Sequence, residues 1–310
     1  SQFDALRVEV STNCGQSFTT VYNKSGSTLA TAPNTTSAFT PANCSQWRTE
    51  TINLSSYNGA QVLVRFVNIN GNGNNLFLDN IALNGTLPNP GTRAYAHLWL
   101  EGPYNSTNIN MNTQLAQNGW IATQQPFNRS PWWYAGTEQL NTIPANTVDW
   151  ILIEALDVSY NVIARRAALL RSDGYIMETD GTEGALFTQG VVSGNAYRLR
   201  IFHRNHIGVV STALSSLPNT GSPYPFTLPA FVVGGQNQLA LTPNLTFALR
   251  CGDATPNGIV NYQDYAPIFQ QWNQANGYYD GDLNLDGQVN IADFNLYRQN
   301  VGAIGVWQVR

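Results

Sequence analysis

The sequence predicts a mainly β protein, with two antiparallel β-sandwich domains followed by a small helical module. Three observations predict it. Apolar residues alternate at period two in one short segment after another. Turn-forming Asn and Gly are abundant, 36 and 26 of 310 residues. Only the last sixty residues space apolar side chains three and four apart, as helices do.

The first domain is expected over residues 1–85. Residues 6–10 and 62–66 alternate, and 76–81 read as a third short strand. Asn68-Ile-Asn-Gly-Asn-Gly73 reads as a turn and 25–41 as a polar excursion. Residues 84–91, with two prolines and two glycines, read as a linker. The second domain, 92–250, places strands at 94–101, 148–156, 164–170, 197–203 and 231–241. Their spacing suits an immunoglobulin-like or jelly-roll sandwich. The third, 251–310, carries two Asn/Asp/Gly loops, each followed by a helical pattern at 262–274 and 291–300.

Charge separates the same segments. Residues 1–250 contain 13 acids and 13 bases, whereas 251–310 contain 6 acids against Arg298 and Arg310, so the net charge of −4 lies in the tail. A nucleic-acid protein would need a basic stripe, and none is present. Lys24 is the only lysine, which argues against lysine-dependent catalysis. No apolar run reaches the roughly 18 residues of a membrane span. The chain opens on strand-like sequence, so it reads as a chain freed of its leader or as part of a longer one. Cys14 and Cys44 could form one disulfide in an oxidising compartment, or be two buried thiols; Cys251 is either buried or paired with another chain. Of eight sequons, at Asn23, Asn34, Asn43, Asn53, Asn84, Asn105, Asn128 and Asn244, most are what chance gives in a chain this rich in Asn and Thr.

The tail is the most specific part. Asp282, Asn284, Asp286 and Asp293 stand at positions 1, 3, 5 and 12 of a loop with Gly287 at position 6, where the chain must turn. Such spacing wraps oxygens around Ca2+, a hard cation that takes six to eight of them. The main-chain carbonyl of Gln288 and the side chain of Asn290 complete the expected set. A second copy begins 29 residues earlier: Asp253, Thr255, Asn257, Ile259 through its carbonyl, Asn261 and Asp264, with Gly258 at the turn. Thr255 and Asn257 are neutral, so this copy should bind more weakly. Position 12 is Asp in both, where an EF-hand has Glu.

The tandem loops over 252–302 resemble a dockerin. Thr255-Pro256 and the linker Asn276-Gly-Tyr-Tyr279 depart from the cellulosomal pattern, so the calcium ligands carry over and the cohesin partner does not. Residues 4–83, through Asp4-Ala-Leu-Arg-Val-Glu-Val-Ser-Thr-Asn-Cys-Gly15 and Asn75-Leu-Phe-Leu-Asp-Asn-Ile81, look like the later part of a MAM-like jelly roll. The middle segment, with Gln125-Pro-Phe-Asn128 and His203-Arg-Asn-His206, is similar to a linking domain before dockerin-like tails. Together these resemble the C-terminal part of surface proteins secreted by gliding, type IX-secreting bacteria. The resemblance implies an extracellular or cell-surface location. It also implies that Asp79 could ligate a third Ca2+, where the other reading is an Asp capping a turn, and a first sandwich short of strands that a precursor or a neighbouring copy would supply.

Other chemistry is weakly supported. A strand through 197–203 would point His203 and His206 in opposite directions, which favours structural roles. Glu154 with Asp157, or Glu178 with Asp180, suit turns better than a glycosidase pair. Trp132 and Trp133 could stack on a glycan, although core packing is the commoner fate of sandwich aromatics. The expected function is a non-catalytic, calcium-stabilised surface or adhesive protein that assembles with itself or binds surface proteins or glycans. The alternatives are the tail of a secreted metalloprotease or glycanase, and a carbohydrate-binding module with a dockerin. Two Ca2+ would cancel the tail's −4. Loss of Asp282 or Asp286 is expected to destabilise the tail and leave the sandwiches folded.

Overall fold

The computed structural model describes residues 3–57, 60, 62–82 and 91–306, so the linker expected over 84–91 lies, up to Pro90, outside the described residues. The protein is mainly β, with curled antiparallel sheets, and divides into two compact units, Ser1–Pro88 and Asn89–Arg310.

In the first unit β1 (Ala5–Ser11) lies between β2 (Thr19–Ser25) and β3 (Leu63–Ile69), antiparallel to both. Alternation places Leu6, Val8 and Val10 on one face, all buried. On the other face Glu9 pairs across the ladder with Arg65, 2.7 Å away, and the arginine holds the carboxyl below its ordinary range. β2 and β3 are the outer strands, and β3 leaves Leu63, Phe66 and Ile69 exposed.

The strand expected at 76–81 does not form. The side chain of Asn74 donates to the carbonyls of Thr35 and Ser37 and accepts from Phe39 N–H, while Asn75 donates to the Phe39 carbonyl. Side-chain amides thus fasten this segment to the polar excursion in place of a strand ladder. β2 escaped the sequence reading because its Thr-Thr-Val-Tyr-Asn-Lys-Ser run is mostly polar, as an edge strand can be.

Cys14 and Cys44 are not bonded, and neither is buried: both thiols are free and exposed. Each is fixed by its own turn. Cys14 takes a left-handed conformation (φ 56°) inside a Ser11–Asn13–Ser17 hydrogen-bond cluster, and Cys44 opens a 3-10 turn capped by Asn43.

The second unit is built on a six-stranded antiparallel sheet. Its order is Ile176–Met177, β5 (Val162–Arg171), β4 (Thr147–Leu156), β6 (Ala196–Phe202) and Val209–Val210, with Ser215–Ser216 also pairing to β6. β4 is buried along its whole length, as its apolar run Trp150-Ile-Leu-Ile153 requires. The segment at 94–101 splits into Thr92–Ala94, paired with Ala185–Phe187, and Ala96–His97, paired in parallel with Tyr224–Pro225. Of 231–241 only Leu239–Leu241 is strand, preceded by 3-10 turns Pro229–Phe231 and Gly235–Gln238.

Residues 251–306 belong to this same compact unit. The helices are α1 (Tyr265–Gln270) and α2 (Ile291–Asn300). α1 is shorter than its pattern because Asp264 turns both oxygens back to the loop, and Asn273, at φ 64°, bends the chain away. A small core of Cys251, Ala254, Val260, Ile268, Leu283, Val289 and Tyr297 takes in Ile207 from the β region, and Leu285 joins the main core instead.

Candidate metal centre

The two loops fold alike. Asp253 accepts the N–H groups of Asn257 and Gly258 (both 2.9 Å), and Asp282 those of Asp286 (3.1 Å) and Gly287 (2.8 Å). At the far end Asp264 accepts from Thr255 and Asn261, and Asp293 from Leu283, Asn284 and Asn290. Gly258 and Gly287 share one conformation, φ 81°, which explains why position 6 must lack a side chain in both. Position 5 locks position 7: Ile259 N–H donates to Asn257 and Gln288 N–H to Asp286, each at 2.9 Å.

Four carboxylates are therefore buried, at 2% exposure for Asp253 and 0% for Asp264, Asp282 and Asp293. Burial, then the charge of Asp264, pushes Asp253 up to about 7. Burial likewise lifts Asp282 to about 7, although Arg204 opposes the shift, and raises Asp293. Ionised, these groups need a cation that the loops' own side chains do not provide.

The donor set fits calcium. Among the described residues no group of three or more His, Cys, Asp and Glu side chains is placed to hold a metal by itself. The first loop instead combines two carboxylates with oxygens of Asn, Thr and main-chain carbonyls, and the second three carboxylates with oxygens of Asn and main-chain carbonyls, hard donors suited to Ca2+ rather than to transition metals. A carboxylate oxygen that accepts an N–H keeps a further lone pair for an ion.

Three of the expected ligands do something else as well. Asn290 accepts from Ala292 N–H and caps α2 in a reciprocal box with Asp293, and Asn261 accepts from Gln263 N–H. Thr255 spends its hydroxyl proton on Asp264, at 2.6 Å. Asp79 is exposed, binds the N–H of Asn80, and stands outside both loops.

The second loop is anchored to the β region. Asn205, wholly buried, donates to the carbonyls of Asp282 (2.7 Å) and Asp280 (3.1 Å), and its own carbonyl accepts Gly252 N–H, which leads into the first loop. Asn112 donates to the carbonyls of Asn284 and Leu285. A Cβ on Gly102 would lie 1.8 Å from the Leu283 carbonyl oxygen, so only glycine permits this approach. Arg129 forks onto Asp280.

Beneath the anchor lies a buried polar cluster that the sequence did not disclose. Asp149 on β4 accepts from Arg204 (2.8 Å), His203 (3.2 Å) and Tyr278 (2.5 Å), and Arg204 also reaches the Tyr279 carbonyl and covers the Tyr278 ring. Burial alone would raise Asp149, but the Arg204 charge and these hydrogen bonds hold it below the ordinary carboxylate range. β6 ends at Phe202, so His203 and His206 lie in a bend and face each other, Nδ1 to Nδ1 at 3.0 Å. His203 Nε2–H donates to Asp149, leaving its Nδ1 to accept from His206 Nδ1–H, while His206 Nε2 accepts Gly102 N–H. Both rings are thus neutral, and burial lowers the pKa of each. Cys251 is buried as well, its sulfur accepting from Asn300.

The acids weighed as a glycosidase pair are held by arginines or turns. Glu154 pairs with Arg165 and Arg200, and Glu178 with Arg166, whereas Asp157 and Asp180 close exposed turns. Trp132 is buried edge-on against Phe127 and offers no face to a sugar; of these two, Trp133 is the exposed one. No protein-family model matches the chain, and no curated protein matches it.

Proposed function

We propose that this chain is a non-catalytic, calcium-stabilised extracellular surface protein that associates with copies of itself or with other surface proteins and glycans. The observation that carries the reading is the pair of like-folded loops, each burying two carboxylates around a turn with no cation of its own. The same reading takes the first unit as jelly-roll-like, the β region of the second as a sandwich, and 251–310 as a dockerin-like calcium module. Calcium would enter as a structural ion. Asp253 and Asp264, and Asp282, Asp286 and Asp293, would hold it with the loop's amide, hydroxyl and carbonyl oxygens, and its charge would replace the protons that burial favours.

Association is supported by the outer strands β2 and β3, whose outer edges pair with no further strand among the described residues, and by the apolar residues exposed on β3. A tail of net −4 that takes up two Ca2+ also loses the repulsion that keeps copies apart. Size analysis by light scattering, in calcium and in EDTA, tests the reading. Calcium-dependent growth in mass supports it; a monomer of unchanged size and melting temperature in both overturns it.

A further inference from the structure

Beside the second loop lies an open groove of about 680 Å³ whose lining is nearly uncharged. One wall is the hairpin Tyr104–Asn105 with Asn110–Met111, another the helical turn Gln114–Gln117, and Asn284 and Asp286 of the loop form the floor. Seven carboxamide side chains line it, with no Lys, Arg or His, and Asp286 is the one charge. Wall and floor are fastened together by Asn112, which donates to the Asn284 and Leu285 carbonyls and to Gln114.

The lining selects a ligand class by exclusion. A phosphate or acidic ligand needs cations, and the groove has none. An apolar ligand, or the side chains of a peptide, need apolar pockets; only the Tyr104 ring is offered, since Met111 is buried. Each carboxamide carries both a donor and an acceptor, the pair that hydroxyl groups match. Tyr104 is half-buried and held edge-on by Trp99 at 5.4 Å, with its hydroxyl on Asn244, so its ring is a fixed platform.

We infer that this groove binds a neutral saccharide, and that calcium in the second loop holds its floor in shape. The inference rests on the calcium reading above and adds to it a ligand and a place. It differs from a Trp132–Trp133 platform in using amide hydrogen bonding and one tyrosine.

Affinity electrophoresis of the full chain through gels containing mannan, dextran or xylan tests it, with polygalacturonate and gelatin as acidic and polypeptide controls. At least one neutral polysaccharide should retard the protein in calcium. EDTA should abolish the retardation, Gln114→Ala should weaken it about tenfold with melting temperature and calcium uptake unchanged, and Tyr104→Ala should weaken it about tenfold with calcium uptake unchanged. No retardation by the three neutral polymers, retardation by gelatin or polygalacturonate instead, or retardation indifferent to both variants overturns the inference. Calcium calorimetry on the same preparation separates the two claims. Calcium uptake without retardation sinks the groove alone, whereas retardation indifferent to EDTA in a chain that takes up no calcium sinks the calcium reading and the ion's part in the groove.

Discussion

The side-chain amide of Asn205 donates to the main-chain carbonyl of Asp282, 2.7 Å away and shielded from water, and so joins the bend after β6 to the first residue of the second loop. A second bond from the same nitrogen reaches the carbonyl of Asp280. The loop is therefore part of the packing of the second unit.

Replacing Asn205 by Ala leaves the buried carbonyl of Asp282 and the half-buried one of Asp280 without that donor. A cost of about 2–4 kcal/mol follows, about 1–3 kcal/mol for the buried group and a smaller share for the half-buried one. The melting temperature of the second unit should fall by about 5–15 °C. A shift within error of wild type would show that the join does not matter.

Asp282→Ala should destabilise β4 and β6 along with the tail, contrary to what the sequence by itself suggests. Hydrogen exchange reads this out: amides of 147–156 and 196–202 should lose protection in the variant and, in wild type, on adding EDTA. Protection lost only beyond residue 251 would mean that the tail is energetically separate.

Asp149 is surrounded by Arg204, His203 and Tyr278, all reaching it inside the fold. Asp149→Asn keeps the shape but leaves the Arg204 guanidinium buried without its counter-charge. Breaking one side of such a pair costs about 3–5 kcal/mol, to be measured by urea unfolding. Asp149→Asn with Arg204→Met should recover part of the loss.

Calcium affinity should fall as pH drops below 7. Asp253 and Asp282 are raised to about 7 in the folded, metal-free loops, against about 3.9 for a free Asp. A raised folded pKa means that these groups contribute stability to the metal-free protein below about 4, and lose it as pH rises through about 7. Calcium needs them ionised, so below 7 each bound ion displaces a proton and affinity falls by up to about tenfold per pH unit for each such carboxylate. Calorimetry in two buffers of different ionisation enthalpy detects the released protons; heats that do not depend on buffer at pH 6 would contradict the shifts.

On β3, Leu63→Lys with Ile69→Lys places charge on an outer strand without touching the buried face of β1. Calcium-dependent association through this edge should be lost while the melting temperature stays near wild type. Unchanged particle size would move the contact elsewhere.

What the sequence discloses here follows local chemistry. The loops are legible because oxygens at fixed spacing and a glycine at position 6 are all that such a loop needs, and Gly258 and Gly287 do share one φ. β4 is legible because a buried strand is a continuous apolar run. The strand at 76–81 misleads because its period is right, but Asn74 and Asn75 fasten the segment by side-chain bonds that no period reveals. The Asp149–Arg204–Tyr278 cluster spans 129 positions of sequence and leaves no local mark. Gly102 is a visible clue of a kind, since its lack of a side chain has a cause only where Leu283 approaches it.

The most direct test of the central claim, that both loops hold calcium and thereby stabilise the whole second unit, is titration of the EDTA-stripped chain with calcium, followed by melting. Two ions should be taken up, one lost in Asp253→Ala and the other in Asp282→Ala, with a single melting transition of the second unit that rises with calcium. No uptake, or melting curves that coincide in calcium and EDTA, would contradict it.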